Sequence, residues 1–232
     1  MIRLGKVVAI DGPSGAGKST LAKSLAAALG FEYLDTGALY RAAALALRAR
    51  GVTPEDDDGR IASALNGVSI DFREGRVYLD GRDVSEEIRT KEAGHYSSVF
   101  SARKPVRDFL LPLQREFSSA NGKNRNLVVE GRDMTTVVFP GAWKKFYLDA
   151  SLRERARRRY EQMAAMGKHI SMEDAMEDVA LRDSRDSSRE IAPLKKGEDA
   201  FYLDTTDLSA SQVLRKMVEV IKGCGPEKKN EK

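Results

Sequence analysis

Gly12-Pro13-Ser14-Gly15-Ala16-Gly17-Lys18-Ser19-Thr20 follows the apolar run Val7–Ile10 and leads into the amphipathic stretch Lys18–Leu29. Its first eight residues have the spacing G-x-x-x-x-G-K-[ST], and a strand before and a helix after are the context that spacing needs. Glycines let the loop curl so that successive backbone N–H groups point inward at phosphate oxygens, and the helix starting near Lys18 adds its positive end. Lys18 is placed to reach the β- and γ-phosphates, and the Ser19 hydroxyl to ligate Mg²⁺. A glycine-rich turn without ligand is the bland alternative; the lysine, the hydroxyl residue and both flanking elements argue against it. The stretch therefore predicts a nucleoside triphosphate and magnesium, with residues 12–20 as the triphosphate site. Switches, motors and small-molecule kinases all share such a loop, so the acceptor must be read elsewhere.

Working outward, strand-like runs alternate with helix-length amphipathic segments. Phe31–Leu34 precedes Leu39–Arg50, and Leu127–Val129, Lys145–Leu148 and Phe201–Leu203 are each followed by helical material. Such alternation predicts an α/β fold, a parallel sheet with helices on both faces. The middle differs. Val68–Phe72 and Arg76–Leu79 have period-2 patterning about the turn-like Arg73-Glu74-Gly75, which predicts an inserted antiparallel hairpin. The acidic Pro54–Gly59 reads as a turn-rich entry to the insert. The expected organisation is one domain over 1–224, with a core at 1–60 and 94–224, an insert at about 61–93 and a helical lid at about 151–190. A disordered tail is expected at 225–232.

Composition narrows the class. Apolar residues make up 41% and charged residues 32%, and no apolar run approaches the roughly 20 residues a bilayer crossing needs. The short apolar run at the N-terminus reads as a strand rather than a signal peptide. One cysteine, Cys224, and two histidines, His95 and His169, do not suffice for an internal disulfide or an ordinary structural zinc site. A cytoplasmic monomer is expected. The net charge of +4 is mildly basic, but arginines cluster at 153–159 and 182–189, which suits a small polyanion at least as well as a nucleic acid, and no aromatic-rich RNA-binding signature is present.

Two further segments fall near the same sheet edge as the loop, and two others carry clustered arginines. Thr36, in Leu34-Asp35-Thr36-Gly37-Ala38-Leu39-Tyr40-Arg41, stands near a helix start with a hydroxyl, and Arg41 returns from the next turn or two. Glu130-Gly131-Arg132-Asp133 closes the strand Leu127–Val129 with charges of both signs, whose burial requires a ligand or a mutual ion pair. Arg182, Arg185, Asp186 and Arg189 recur at i, i+3, i+4 and i+7; a solvated, ion-paired face is the ordinary reading of such a pattern. Ser151–Tyr160 opens a helix, and Met163–Ser171, with Gly167, breaks it before another begins. This arginine-bearing pair reads as a lid that brings Arg157 or Arg158 over the triphosphate and excludes water, or else as an exposed basic helix.

Taken in order, GPSGAGKST, LDTGALYR, the hairpin ending DVSEEIRT, VVEGRDMTTVVFP and RDSRDSSREIAPL resemble bacterial cytidylate kinases, over the chain to about Ile221. The resemblance implies a nucleoside monophosphate kinase that passes the γ-phosphoryl group of ATP to CMP and to dCMP, with the insert at about 61–93 as its monophosphate-binding subdomain. It places Thr36, Arg41 and Arg132 around the acceptor phosphate, and Tyr40 within the CMP site. Ser98, Arg107 and Asp133 fall on the residues that recognise cytosine, and Arg182, Asp186 and Arg189 on those lining the pentose site. Lys18, Arg132, Arg157 and Arg158 then carry the catalytic charge. The family pattern has aspartate where Glu130 stands, so no role passes to that residue.

Cytosine offers an N4 donor beside N3 and O2 acceptors, which suits Asp133 as acceptor and Arg107 and Ser98 as donors. Two other readings stay open at the level of sequence. One is a P-loop kinase with a hydroxyl acceptor and Asp35 as base. The other is a nucleotide-dependent switch or RNA-binding protein, against which no apolar strand ending in an aspartate and followed by a switch pattern is found.

Overall fold

A computed structural model describes residues 5–119 and 125–223. Cys224 and the expected tail lie outside them. Strand β1 (Val7–Asp11) is buried along its whole length because it is the centre of a parallel sheet. With β2 (Glu32–Asp35), β6 (Leu127–Glu130), β7 (Lys144–Asp149) and β8 (Phe201–Asp204), the order is β2-β6-β1-β7-β8. A strand covered on both faces reads as a continuous apolar run. Val7 and Ala9 join Leu34, Leu127 and Val129 on one face, while Val8 and Ile10 join Val128, Phe146 and Leu148 on the other.

Helices cover both sides. Leu21 and Leu25 of α1 (Lys18–Leu29) and Val213 and Met217 of α8 (Ala210–Lys222) close the second face. The first is closed by Leu39 and Leu47 of α2 (Thr36–Ala49), Ile61 of α3 (Asp58–Leu65), and Val106 and Leu110 of α5 (Lys104–Glu116). Every β-to-α turn in this arrangement falls at the carboxyl edge of the sheet, where ligands of open α/β sheets bind.

The inserted hairpin is present as β3 (Ile70–Arg73) and β4 (Arg76–Leu79). Arg73 pairs with Arg76, which leaves a two-residue turn rather than the three-residue one expected. Glu74 and Gly75 both have positive φ, 54° and 76°, as a type I′ turn requires. A two-residue third strand, β5 (Arg82–Asp83), follows through a second such turn at Asp80-Gly81 and is too short to leave a periodic signal. Pro54–Gly59 holds Asp57, whose carboxylate caps α3 by accepting from the Arg60 N–H. Ile70, Val77, Leu79, Val84 and Ile88 share the core of α2, so residues 61–93 pack onto the main body rather than forming a core of their own. Helix α4 (Lys91–Phe100) runs straight through the boundary expected at 93.

The arginine-rich segment forms α6 (Leu152–Ala165) and α7 (Met172–Ser188), with Gly167 at φ 70° between them. Ser151 and Ser171 cap the two helices. No helix among the described residues is long and apolar enough to cross a membrane.

Candidate active site

The loops at the carboxyl edge enclose a cleft of about 510 Å³. One wall is the glycine loop, through Ser14, Gly15, Gly17, Lys18, Ser19 and Thr20. Gly12, Pro13 and Ala16 form the back of the turn and do not line it. Gly12 and Gly15 have no alternative: a Cβ at Gly12 would sit 2.0 Å from the Leu148 carbonyl oxygen, and one at Gly15 2.7 Å from that of Arg155. Lys18 is buried and donates to the Pro13 carbonyl oxygen at 2.7 Å. Burial, with repulsion from Arg132, brings its pKa down to about 7, against the pull of Glu130.

Glu130 is where the structure adds most to the sequence reading. The strand Leu127–Glu130 is apolar, buried and ends in a carboxylate, glutamate where the family pattern implies aspartate. Its Oε1 accepts the Ser19 hydroxyl at 2.5 Å and the Tyr33 hydroxyl at 3.3 Å. Burial and the nearby Asp35 push the Glu130 carboxyl upward, while Lys18 opposes them. Among the described residues, no three His, Cys, Asp or Glu side chains converge as a metal set. A magnesium ion is typically held by one or two side-chain oxygens together with phosphates, and Ser19 with Glu130 offers that much.

The opposite wall gathers the expected acceptor residues. Asp35 caps α2, its Oδ1 accepting from the Ala38 N–H at 3.0 Å, while its Oδ2 accepts from Arg41 at 3.2 Å. Thr36, in the first turn of α2, donates to the Glu130 carbonyl at 2.7 Å, which ties the two walls together. Arg132 donates from Nε to Asp186 at 2.7 Å. Burial disfavours the Arg132 cation, but Asp186 outweighs it and the pKa rises. Arg107 pairs with Asp133 and also donates to the Ser101 carbonyl at 3.0 Å. Burial pushes the Asp133 carboxyl upward against the pull of Arg107 and Arg189, whose Nη2 lies 3.9 Å from the second carboxylate oxygen. Tyr40 lies beneath Arg107, with its phenol raised to about 12 by burial.

Among the described residues, five buried side-chain polar atoms lack a hydrogen-bond partner, and three of them belong to this cleft: Arg41 Nε, Ser98 Oγ and Arg189 Nη2. Buried donors left unpaired are costly, so their convergence marks a place built for a ligand rich in acceptors.

Some of the expected residues stand away from the cleft. Arg157 does not reach the cleft: its side chain is 50% exposed and bound to Glu154 and Glu161, because it lies on the outer face of α6. Arg158 and Arg159 face inward instead, the first bonded to Thr205 and the second to Asp178. Arg185 likewise stands apart, and the inward residues of α7 are Arg182 and Asp186, followed by Arg189 beyond its end. No residue of 61–93 lines the cleft; the wall there comes from Gly94, Ser97 and Ser98 of α4. His95 and His169 are both exposed.

Two groups carry structure without any sequence signal. Asp11 accepts from the Met134 and Thr135 N–H groups and the Thr135 hydroxyl, at 2.9, 2.7 and 2.7 Å. It thereby fixes the π-helical turn Met134–Val138 that follows Asp133, and burial raises its own pKa to about 6. Asp183 accepts from the Ser14 N–H at 2.9 Å and pairs with Arg155.

The chain is similar to proteins that carry a name. A cytidylate kinase named for Thermodesulfovibrio yellowstonii is 54% identical over 213 residues, covering 90% of this chain and 94% of its own. Those of Geobacter sp. strain M21 and Thermosipho melanesiensis are 48% and 45% identical, covering 94% and 93% of this chain and 93% and 96% of theirs. An uncharacterized protein of Eubacterium ventriosum shares the fold, with a TM-score of 0.53 at 12% identity over 94% of this chain and 98% of that one. The family profile described as cytidylate kinase matches residues 8–223, nearly the whole chain, and the chain belongs to the cytidylate kinase family.

Proposed function

We propose that the protein transfers the γ-phosphoryl group of ATP to CMP, and also to dCMP, giving ADP and CDP or dCDP. The observation that carries this reading is the pair of facing half-sites in one cleft, a glycine loop on one wall and Arg41, Arg107, Arg132, Arg182 and Arg189 on the other. The acceptor phosphate would lie against Arg41, Arg132 and Thr36. Cytosine would meet Ser98, Arg107 and Asp133, with N4 donating to the Asp133 oxygen that Arg107 leaves open. The pentose would lie along Arg182, Asp186 and Arg189, and a carboxylate at 186 accepts from sugar hydroxyls.

Phosphoryl transfer asks mainly for alignment and positive charge around the moving group. Lys18 supplies that charge beside the transferring phosphoryl, and Arg132 and Arg158 flank it. Ser19 and Glu130 would hold magnesium, which when bound neutralises charge on the β- and γ-oxygens. The Ser19 hydroxyl donates its proton toward Glu130 and would leave its lone pairs free to face the ion. A nucleoside monophosphate has a second pKa of about 6 and is mostly dianionic at pH 7, so its oxygen attacks without a general base. A hydroxyl acceptor would need one, and Asp35 is engaged with Ala38 and Arg41. Closure of α6 and α7 would exclude water and spare ATP from hydrolysis.

We take the protein to work as a cytoplasmic monomer. A coupled assay with ATP, magnesium and a panel of CMP, dCMP, UMP, AMP and shikimate tests the reading. CMP and dCMP should turn over fastest, and preference for a hydroxyl acceptor would overturn it.

A further inference from the structure

Helix α7 touches both half-sites from neighbouring residues. Asp183 faces the triphosphate loop: one carboxylate oxygen accepts from the Ser14 N–H at 2.9 Å, and the other pairs with Arg155. Arg155 closes the contact from α6 by donating to the Ser14 carbonyl at 3.1 Å and to the Ala150 carbonyl at 2.9 Å. The α6 backbone lies so close here that a Cβ on Gly15 would stand 2.8 Å from the Arg155 Cβ. The flanking residues of α7 point elsewhere. Arg182 reaches the acceptor wall, its Nη2 3.2 Å from where a Cβ on Gly94 would lie, and Asp186 holds Arg132 at 2.7 Å. Successive helical residues project about 100° apart, so one rigid turn presents Asp183 to the loop and Arg182 and Asp186 to the acceptor side.

We infer that Asp183 is a positioning residue that couples the two half-sites: phosphates that order the glycine loop fix Ser14, Ser14 fixes Asp183, and α7 then holds Arg182 and Asp186 in register for the acceptor. The inference rests on the assignment of ATP to the loop and CMP to the opposite wall. By reciprocity, a filled loop must tighten acceptor binding by the same factor that the acceptor tightens the loop.

The test is the Kd of CMP, measured by calorimetry with and without a non-hydrolysable ATP analogue and magnesium. Couplings of this kind are about fivefold or more, and that tightening is expected in the unmodified protein. In Asp183→Ala the ratio should fall to within about twofold of one, while the Kd of CMP alone stays within about threefold. A merely structural loss would weaken CMP alone and leave the ratio in place. If Asp183→Ala has no cooperative thermal transition, Asp183→Asn carries the test, since it keeps an oxygen for the Ser14 N–H but loses the charge facing Arg155; its ratio should fall at least by half. An unmodified protein that binds both nucleotides without coupling, or a variant with the full ratio, overturns this inference alone. An unmodified protein that binds neither overturns the assigned function, and the inference with it.

Discussion

The Lys18 ammonium lies 2.7 Å from the Pro13 carbonyl oxygen, folded back on the loop that carries it, in a buried site that lowers its pKa to about 7. At pH 8 the free protein therefore holds Lys18 largely neutral, and a polyphosphate restores the proton. Binding of the ATP analogue at pH 8 should take up close to one proton, and at pH 6 almost none. Calorimetry in two buffers of different ionisation enthalpy measures this; equal uptake at both pH values would contradict it.

Lys18→Met should abolish transfer, because the charge beside the moving phosphoryl group is worth several kcal/mol, about 3 or more. The same variant should be more stable than the parent. The unfolded chain holds the Lys18 proton up to about pH 10.5 and the folded one only to about 7, so the burial penalty is full below pH 7 and relieved as pH rises between those values. The gain in Tm should thus be larger at pH 6 than at pH 9. Retained turnover, or a gain independent of pH, would refute the assignment.

Glu130→Gln removes the carboxylate that receives the Ser19 hydroxyl. The magnesium concentration for half-maximal rate should rise about tenfold or more, as losses among groups that orient metal ligands commonly do. An unchanged magnesium requirement would separate Glu130 from the metal.

Arg41→Ala and Arg132→Ala should each raise the KM for CMP, with little change in ATP-analogue affinity. The opposite pattern would mean that the two half-sites have been exchanged.

Asp133→Asn should relax the choice of base. A carboxylate only accepts, which suits the cytosine amino group and opposes the uracil O4, whereas an amide can turn its NH₂ toward O4. The CMP-to-UMP preference in kcat/KM should fall about 10–100-fold, the size of one charge-assisted hydrogen bond of roughly 1.5–3 kcal/mol. A preference held within twofold would show that Asp133 does not read the base.

Much of this was legible in the chain. The loop at 12–20 carries its own glycines and lysine, and buried parallel strands such as Val7–Asp11 and Leu127–Glu130 read as apolar runs because both their faces are covered. The resemblance assigns roles to Arg41, Arg107, Arg132 and Asp133, and all four line the one cleft. What escaped were contacts between residues remote in sequence and ordinary in type. Asp183 and Ser14 are 169 residues apart, and Asp11 and Thr135 are 124 apart. Which arginine of the run 157–159 turns inward depends on the rotation of α6 about its axis, and composition does not record that. Glu130 was visible, but its partner was not.

Arg41, Arg107 and Arg132 each already face a carboxylate of the protein itself: Asp35, Asp133 and Asp186. An anion reaching these three guanidinium groups meets a carboxylate already in place, while the Arg41 Nε and Arg189 Nη2 donors have no hydrogen-bond partner. Chloride and inorganic phosphate bring nothing to occupy the carboxylate they displace, and gain little. A ligand that carries an amino group and hydroxyls with its phosphate gives the displaced oxygens new donors. The resting ion pairs therefore set a cost that favours a ligand able to give each carboxylate a new donor.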